Sequence, residues 1–361
     1  MESNQLVLVT GGNGFIAAHC IASLLRANHH VRATVRSNEK AEATREALAF
    51  ARVENLDRLE FAVVPDPTNL KAFSATLGGC HAILHLASAF NYNAAPGEFE
   101  EKLMIPAVKG TQTVCEAAKL NPNVRRVLIM SSFASVYDAS LGPQPGVVYT
   151  EKDWCPLTYE DGVNATAVPI AYRASKVVAE RAAWDYVRDN DVKYNLTTLC
   201  PGMVFGRMIH PIKSLDQLNA SNQIVWQVIS AGKDGEIPPT KAPGMYRCVI
   251  RSNDNANDGQ VWIDVEDLAE TTLRALTSSA IGHERFLVTQ GSYDMQEIAD
   301  TIRSRLPEIQ RVPVGEPGKR IAATHYSCDS SKVQQVLGVK FRALEDSIIP
   351  LAEQLYALDK E

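Results

Sequence analysis

The strongest constraint on this chain's fold lies at its start. In LVLVTGGNGFIAAHC, Leu6 to Cys20, an apolar run stops at a threonine, three glycines crowd a turn, and an amphipathic stretch follows. Gly12-Asn13-Gly14-Phe15-Ile16-Ala17 fits the pattern G-x-G-x-x-G/A, placed as the pattern requires between a strand and a helix. Glycine permits positive φ and leaves room for a close visitor, while the free N–H groups and dipole of the helix favour negative charge. Gly11, Gly12, Asn13, Gly14, Phe15 and Ile16 are therefore candidates to cradle a pyrophosphate. A tight glycine turn with no ligand is the blander alternative.

The rest of the chain supplies the context. Apolar runs at Leu6–Val9, Val31–Val35, Leu59–Val64, Ala82–Ala87, Val127–Met130 and Leu196–Leu199 alternate with segments whose apolar residues fall three and four apart. That alternation predicts an α/β fold, a doubly wound and mostly parallel sheet covered by helices on both faces. Such sheets bind ligands beyond the carboxyl ends of their strands. From Pro201 the pattern loosens, and 233–259 is rich in Gly, Pro, Asn and Asp before strand and helix patterns resume. The expected organisation is a nucleotide-type core of residues 1–201 plus 260–290, with a smaller mixed α/β substrate-binding cap of 202–259 plus 291–361.

Composition narrows the ligand. A net charge of −6 without a lysine-arginine cluster argues against nucleic acid or an anionic membrane as the partner. The seven cysteines lack C-x-x-C spacing and read as buried reduced thiols, and the eight histidines form no H-E-x-x-H. His29 and His30 read as a solvated helix-to-strand turn. No metal site is expected. With no long apolar run and no leader pattern before the first strand, the expected compartment is the cytosol.

Residues just past each strand carry the next inferences. The second strand ends in Arg36, with Ser37 and Lys40 beyond it and no carboxylate before Glu39. A guanidinium can hold a ribose 2′-phosphate bidentately where a carboxylate would repel it, so Arg36 and Lys40 favour NADPH/NADP+ over NAD. Otherwise Arg36 is a surface charge. Asp66, after the third strand, either accepts a hydrogen bond from the adenine amino group or starts a turn. Leu86, Ala87 and Ser88 end the fourth strand with side chains small enough to let a cofactor ribose pass, and Phe90 is either a pocket wall or core.

The chemistry follows the fifth strand. Ser131 and Ser132 stand in IMSSFASVYD, and forty residues later IAYRASK puts Tyr172 and Lys176 four apart on one helix face. Lowering a phenol by about 3 pKa units from its usual value near 10 needs roughly 4 kcal/mol of phenolate stabilisation, part of which a lysine ammonium can supply. Ser132 would hydrogen-bond a substrate carbonyl oxygen. Y-x-x-x-K alone is weak; after a glycine turn and a serine, in this order, it is strong.

Together VTGGNGFIA, the paired serines and YRASK resemble the extended short-chain dehydrogenase/reductase family, with its Rossmann core. HLASAF, PAVKGTQTVCEAAK, LCPGMVFG and VWIDVEDLAETTLRAL resemble its dihydroflavonol reductase-like branch, which includes microbial carbonyl and methylglyoxal reductases. The resemblance implies a catalytic set of Ser132, Tyr172 and Lys176, with Lys176 also bonding the nicotinamide ribose and Ser131 beside the cofactor. Pro201, Gly202, Met203 and Val204 match the segment that packs next to the nicotinamide. Pro106 and Asp264 depart from the sugar-nucleotide enzymes, and the N-W-Y-C-Y motif of the CoA-thioester reductases is missing around Tyr172. Phe90, Phe133, Met203 and Phe205 suggest a mostly apolar pocket near the nicotinamide that, with Ser132 and Tyr172, would bound the substrate; core packing is the alternative for each of these apolar residues. The implied activity is NADPH-dependent reduction of an aldehyde or ketone by a monomer or homodimer. An epimerase or dehydratase that retains its nicotinamide, and a non-catalytic NADP sensor, are the competing readings.

Overall fold

The computed structural model describes residues 4–88, 94–210, 212, 214–240, 260–320 and 324–360. Its strands are β1 Leu6–Thr10, β2 His30–Val35, β3 Leu59–Val63, β4 Cys80–His85, β5 Arg126–Met130, β6 Val148–Tyr149, β7 Asn195–Pro201, β8 Met203–Phe205, β9 Gln260–Asp264, β10 Glu284–Val288, β11 Gly291–Tyr293 and β12 Ser327–Cys328. Its helices are α1 Phe15–Arg26, α2 Asn38–Phe50, α3 Leu70–Ala75, α4 Ile105–Leu120, α5 Tyr159–Val163, α6 Val168–Asp189, α7 Ala220–Ser230, α8 Val265–Thr277, α9 Met295–Arg305, α10 Ser331–Leu337 and α11 Leu344–Leu358.

Among these residues, seven strands form one parallel sheet in the order β10-β7-β5-β4-β1-β2-β3. Central strands such as β1 and β4 are buried along nearly their whole length, as expected of a sheet covered on both faces. α1 packs on α8, and α4 on α6. From β1 the chain moves outward one way through β2 and β3, then returns to lay down β4, β5, β7 and β10 on the other side. The switch point therefore lies between β1 and β4, where the glycine turn and the Leu86–Ser88 segment emerge side by side. This is the Rossmann-like α/β fold that the strand alternation predicts.

A second sheet, in the order β11-β9-β8, starts two residues after β7. β9, the strand of the strand-to-helix unit that resumes after 259, lies in this smaller sheet beside β8. The reason is visible in the pairing, since Gly202 breaks the strand and lets Met203–Phe205 hydrogen-bond to Trp262–Asp264. His29 departs from the reading as a solvated turn. It is 2% exposed, sealed between α1 and β2. Cys20, Cys80, Cys115, Cys155 and Cys200 are buried free thiols and Cys328 is a half-buried one; Cys248 is outside the described residues. Among the described residues no helix is long and apolar enough to cross a membrane, and no group of three or more His, Cys, Asp or Glu could hold a metal ion.

Candidate active site

One cavity of about 590 Å³ runs across the carboxyl end of the large sheet, from the glycine turn to α6. At one end stand Gly11, Gly14, Phe15 and Ile16. Gly11 has φ +67°, and a β-carbon on it would lie 3.1 Å from Ala87 Cα; one on Gly12 would lie 2.7 Å from Ala33 Cβ. Glycine is thus required for the two strand ends and the turn to come together. The turn is tied to β2 by the Gly12 N–H, which donates to Thr34 O at 2.9 Å. α1 begins at Gly14 with no side-chain cap and no acidic residue in its first turn. Twelve residues of helix thus aim uncapped N–H groups at the cavity, the arrangement a pyrophosphate needs. The residues present fit a dinucleotide.

The floor is set by Thr10. Its hydroxyl accepts hydrogen bonds from the N–H groups of Leu86 and Ala87, both at 3.0 Å, so its own proton is left to donate to His85 Nδ1 at 2.9 Å. That assigns the His85 proton to Nε2. Burial, and then the nearby Lys176 charge, pull His85 down to about 4, so it is neutral at physiological pH.

Ser132, Phe133, Tyr172 and Lys176 line the other end of the same cavity. Ser132 caps a short 3-10 turn by accepting the Ala134 N–H at 3.1 Å, which orients its own proton toward the Tyr172 oxygen, with which it is hydrogen-bonded. The sequence argument expects the ammonium to draw the phenol below its usual range. Instead burial pushes Tyr172 up to about 12, against the opposing hydrogen bond from Ser132, and Tyr137 raises it further. The buried lysine moves most: desolvation brings Lys176 down to about 8, partly offset by the Glu180 carboxylate. Its ammonium donates to Met130 O at 3.1 Å.

Glu180, two turns beyond Tyr172, anchors this helix. It is 1% exposed and accepts hydrogen bonds from the Ser131 and Ser135 hydroxyls and, at 2.7 Å, from Thr198. Arg285 Nε on β10 donates to the same carboxylate at 2.7 Å, with its guanidinium 3.7 Å over the Trp154 ring. Burial alone would raise the carboxyl, but Arg285 and the serines outweigh it and hold Glu180 below its usual range. One carboxylate thereby ties α6 to β5, β7 and β10.

The remaining expected residues divide. Leu86, Ser88, Ser131, Pro201, Gly202, Met203 and Val204 line the cavity, whereas Gly12, Asn13 and Ala87 are not among its lining residues. Arg36, on the β2–α2 turn, and Lys40, in the first turn of α2, are exposed and outside it, and Ser37 between them caps α2. Exposed Asp66 accepts from both the N–H and the hydroxyl of Thr68, forming the turn considered for it. Phe90 lies outside the described residues. Phe205 is a correction: it is fully buried, edge-on to Tyr293 and stacked near Trp262, because the β8–β9 pairing turns it into the core.

The cavity also holds side chains not anticipated, among them Tyr137, Arg173, Asn219 and Gln223. Pro169, Tyr172, Arg173 and Lys176 all line it at spacings of i, i+3, i+4 and i+7, one helix face. Arg173 could have been found from that stripe. The residues around α7 could not, since nothing local marks that helix as part of this wall.

A pH limb follows from the lysine. Its folded pKa near 8 lies below its usual one, so its charge is present below about pH 8 and lost above it. We expect kcat/KM for NADPH, which reports the free enzyme, to be level below pH 8 and to fall above it. Lys176→Arg, which stays charged, should remove the alkaline limb. A wild-type profile level to pH 10 would rule this out.

The comparisons agree with this geometry. An oxidoreductase of Schizosaccharomyces pombe is 34% identical over 359 residues, covering 99% of each chain. The NADPH-dependent methylglyoxal reductase GRE2 of Saccharomyces cerevisiae is 31% identical over 366 residues, covering 97% of each. The solved structure of yeast methylglyoxal/isovaleraldehyde reductase Gre2 complexed with NADPH superposes with a TM-score of 0.85 at 30% identity, covering 99% of both chains. With residues 7–288 matching it as well, the chain belongs to the NAD dependent epimerase/dehydratase family.

Proposed function

We propose that the protein is an NADPH-dependent reductase that converts an aldehyde or ketone of a small, largely apolar substrate to the alcohol, with Tyr172 as general acid. The observation that carries this is the shared cavity: the glycine turn and the Ser132, Tyr172 and Lys176 side chains face one space. The relatives named for NADPH-dependent carbonyl reduction support the same reading.

NADPH, held by the glycine turn with its 2′-phosphate at Arg36 and Lys40, supplies the hydride when bound. Ser132, fixed by the Ala134 N–H, donates to the carbonyl oxygen and aligns it with the phenol. Tyr172, protonated because burial keeps it high, gives up its proton as alkoxide character develops. Lys176 holds the ribose and stabilises the phenolate left behind. Phe133, Met203, Val204 and Leu218 supply an apolar wall that keeps water from the reacting carbon. In this division of labour residues 1–201 and 260–290 form the cofactor core, and 202–259 with 291–361 the cap, with β9 the strand that bridges them.

The test is NADPH consumption over aldehydes, α-diketones, ketoesters and cyclic ketones. Turnover with stoichiometric alcohol formation is expected, whereas tight copurifying nicotinamide with no net consumption would overturn the proposal. Arg36→Ala should weaken NADPH relative to NADH by about 10- to 150-fold, the equivalent of a charge-assisted contact of ~1.5–3 kcal/mol. An unchanged NADPH to NADH preference would remove Arg36 from the cofactor site.

A further inference from the structure

We infer that Arg173, braced by Tyr137, binds a carboxylate of the substrate, and that the physiological substrates are oxo acids reduced to hydroxy acids. This rests on the carbonyl-reductase reading and deepens it. Arg173 shares the helix face of Tyr172 and lines the same cavity. Its Nη1 donates to the Tyr137 hydroxyl at a long 3.4 Å, and the guanidinium carbon lies 5.9 Å from the Tyr137 ring centroid. Its Nε is shut off from solvent and has no hydrogen-bond partner.

That is an uncompensated arrangement. A guanidinium donor closed off from water without an acceptor is unfavourable, and a charge withdrawn from water is ordinarily paired. Arg285, which is buried where Arg173 is half-buried, meets Glu180. Among the described residues no ion pair is formed by Arg173, and no Asp or Glu lines the cavity. A stacking role against Tyr137 would account for the ring contact but not for a cation lining a cavity that holds no carboxylate. A planar carboxylate matches the guanidinium fork and satisfies it.

The neighbouring position of Tyr172 completes the substrate. The carbonyl oxygen is placed at the Tyr172 hydroxyl and the carboxylate at Arg173, the next residue of α6 and a lining residue of the same cavity. The hydride from NADPH reduces the carbonyl carbon, the Tyr172 proton goes to its oxygen, and the carboxylate passes through unchanged. The products are a hydroxy acid and NADP+.

Matched pairs of 3-oxo and 4-oxo acids and their ethyl esters test this at saturating NADPH. The wild-type enzyme is expected to prefer the acid, and Arg173→Leu to lower the acid-to-ester ratio of kcat/KM by about 10- to 150-fold, equivalent to ~1.5–3 kcal/mol for hydrogen bonds to a charged group. The KM for NADPH should not move, which separates substrate recognition from cofactor recognition. Arg173→Lys, which keeps the charge without the fork, should give an intermediate ratio and serves if the leucine variant does not fold. A wild-type ratio of one or less, or a variant that loses acid and ester alike, overturns the carboxylate subsite and leaves carbonyl reduction standing. No NADPH consumption with acids, esters or any other carbonyl overturns both.

Discussion

Tyr172→Phe is expected to lower kcat for carbonyl reduction by about 10²–10⁴-fold, the range supplied by a positioned general acid, while NADPH binds nearly as before. The substitution removes one oxygen and leaves the ring, so the cavity wall is preserved. What is lost is the proton. Because burial pushes the phenol up to about 12, Tyr172 is protonated across the working range and is ready as a donor before the substrate arrives. Single-turnover rates with prebound NADPH, together with NADPH titration by fluorescence, separate chemistry from binding. A Phe variant that reduces the substrate at an undiminished rate would show that another group or water delivers the proton.

The second large effect is on stability. Removing the guanidinium in Arg285→Leu leaves Glu180 buried and unpaired, and breaking a buried pair in this way costs about 3–5 kcal/mol. Arg285 also donates to the carbonyls of Glu151 and Asp153, so the loop before α5 loosens with it. Urea unfolding should show the loss, and the double variant Arg285→Leu/Glu180→Leu should recover part of it, because an apolar pair leaves no stranded charge. If the single variant unfolds within about 1 kcal/mol of wild type, the pair is better hydrated than its geometry implies.

Much of this was legible before any coordinates. The glycine turn, the paired serines and Y-x-x-x-K are local signals, and each lies at the end of a strand or the start of a helix that its own pattern predicts. Hydrophobic period fixed the parallel sheet because central strands must be apolar on both faces. What escaped was whatever depends on a distant partner. Phe205 reads as a pocket residue from its place after Gly202, but cross-strand pairing to β9 decides which way it faces. The spacing of Tyr172 and Lys176 is legible in the sequence, whereas the burial that raises the phenol is not. Nothing local marks Glu180, because the arginine it pairs with lies 105 residues later.

That separation bears on how the chain is made. Tyr172, Lys176 and the rest of α6 are synthesised about a hundred residues before Arg285, so the counter-cation of Glu180 arrives only with the seventh strand of the sheet. A nascent chain stopped short of Arg285 must either keep that carboxylate in water or take up a proton, and in both cases the reactive helix lacks its tether. Docking of the helix that bears Tyr172 and Lys176 thus waits on a strand that lines no part of the cavity.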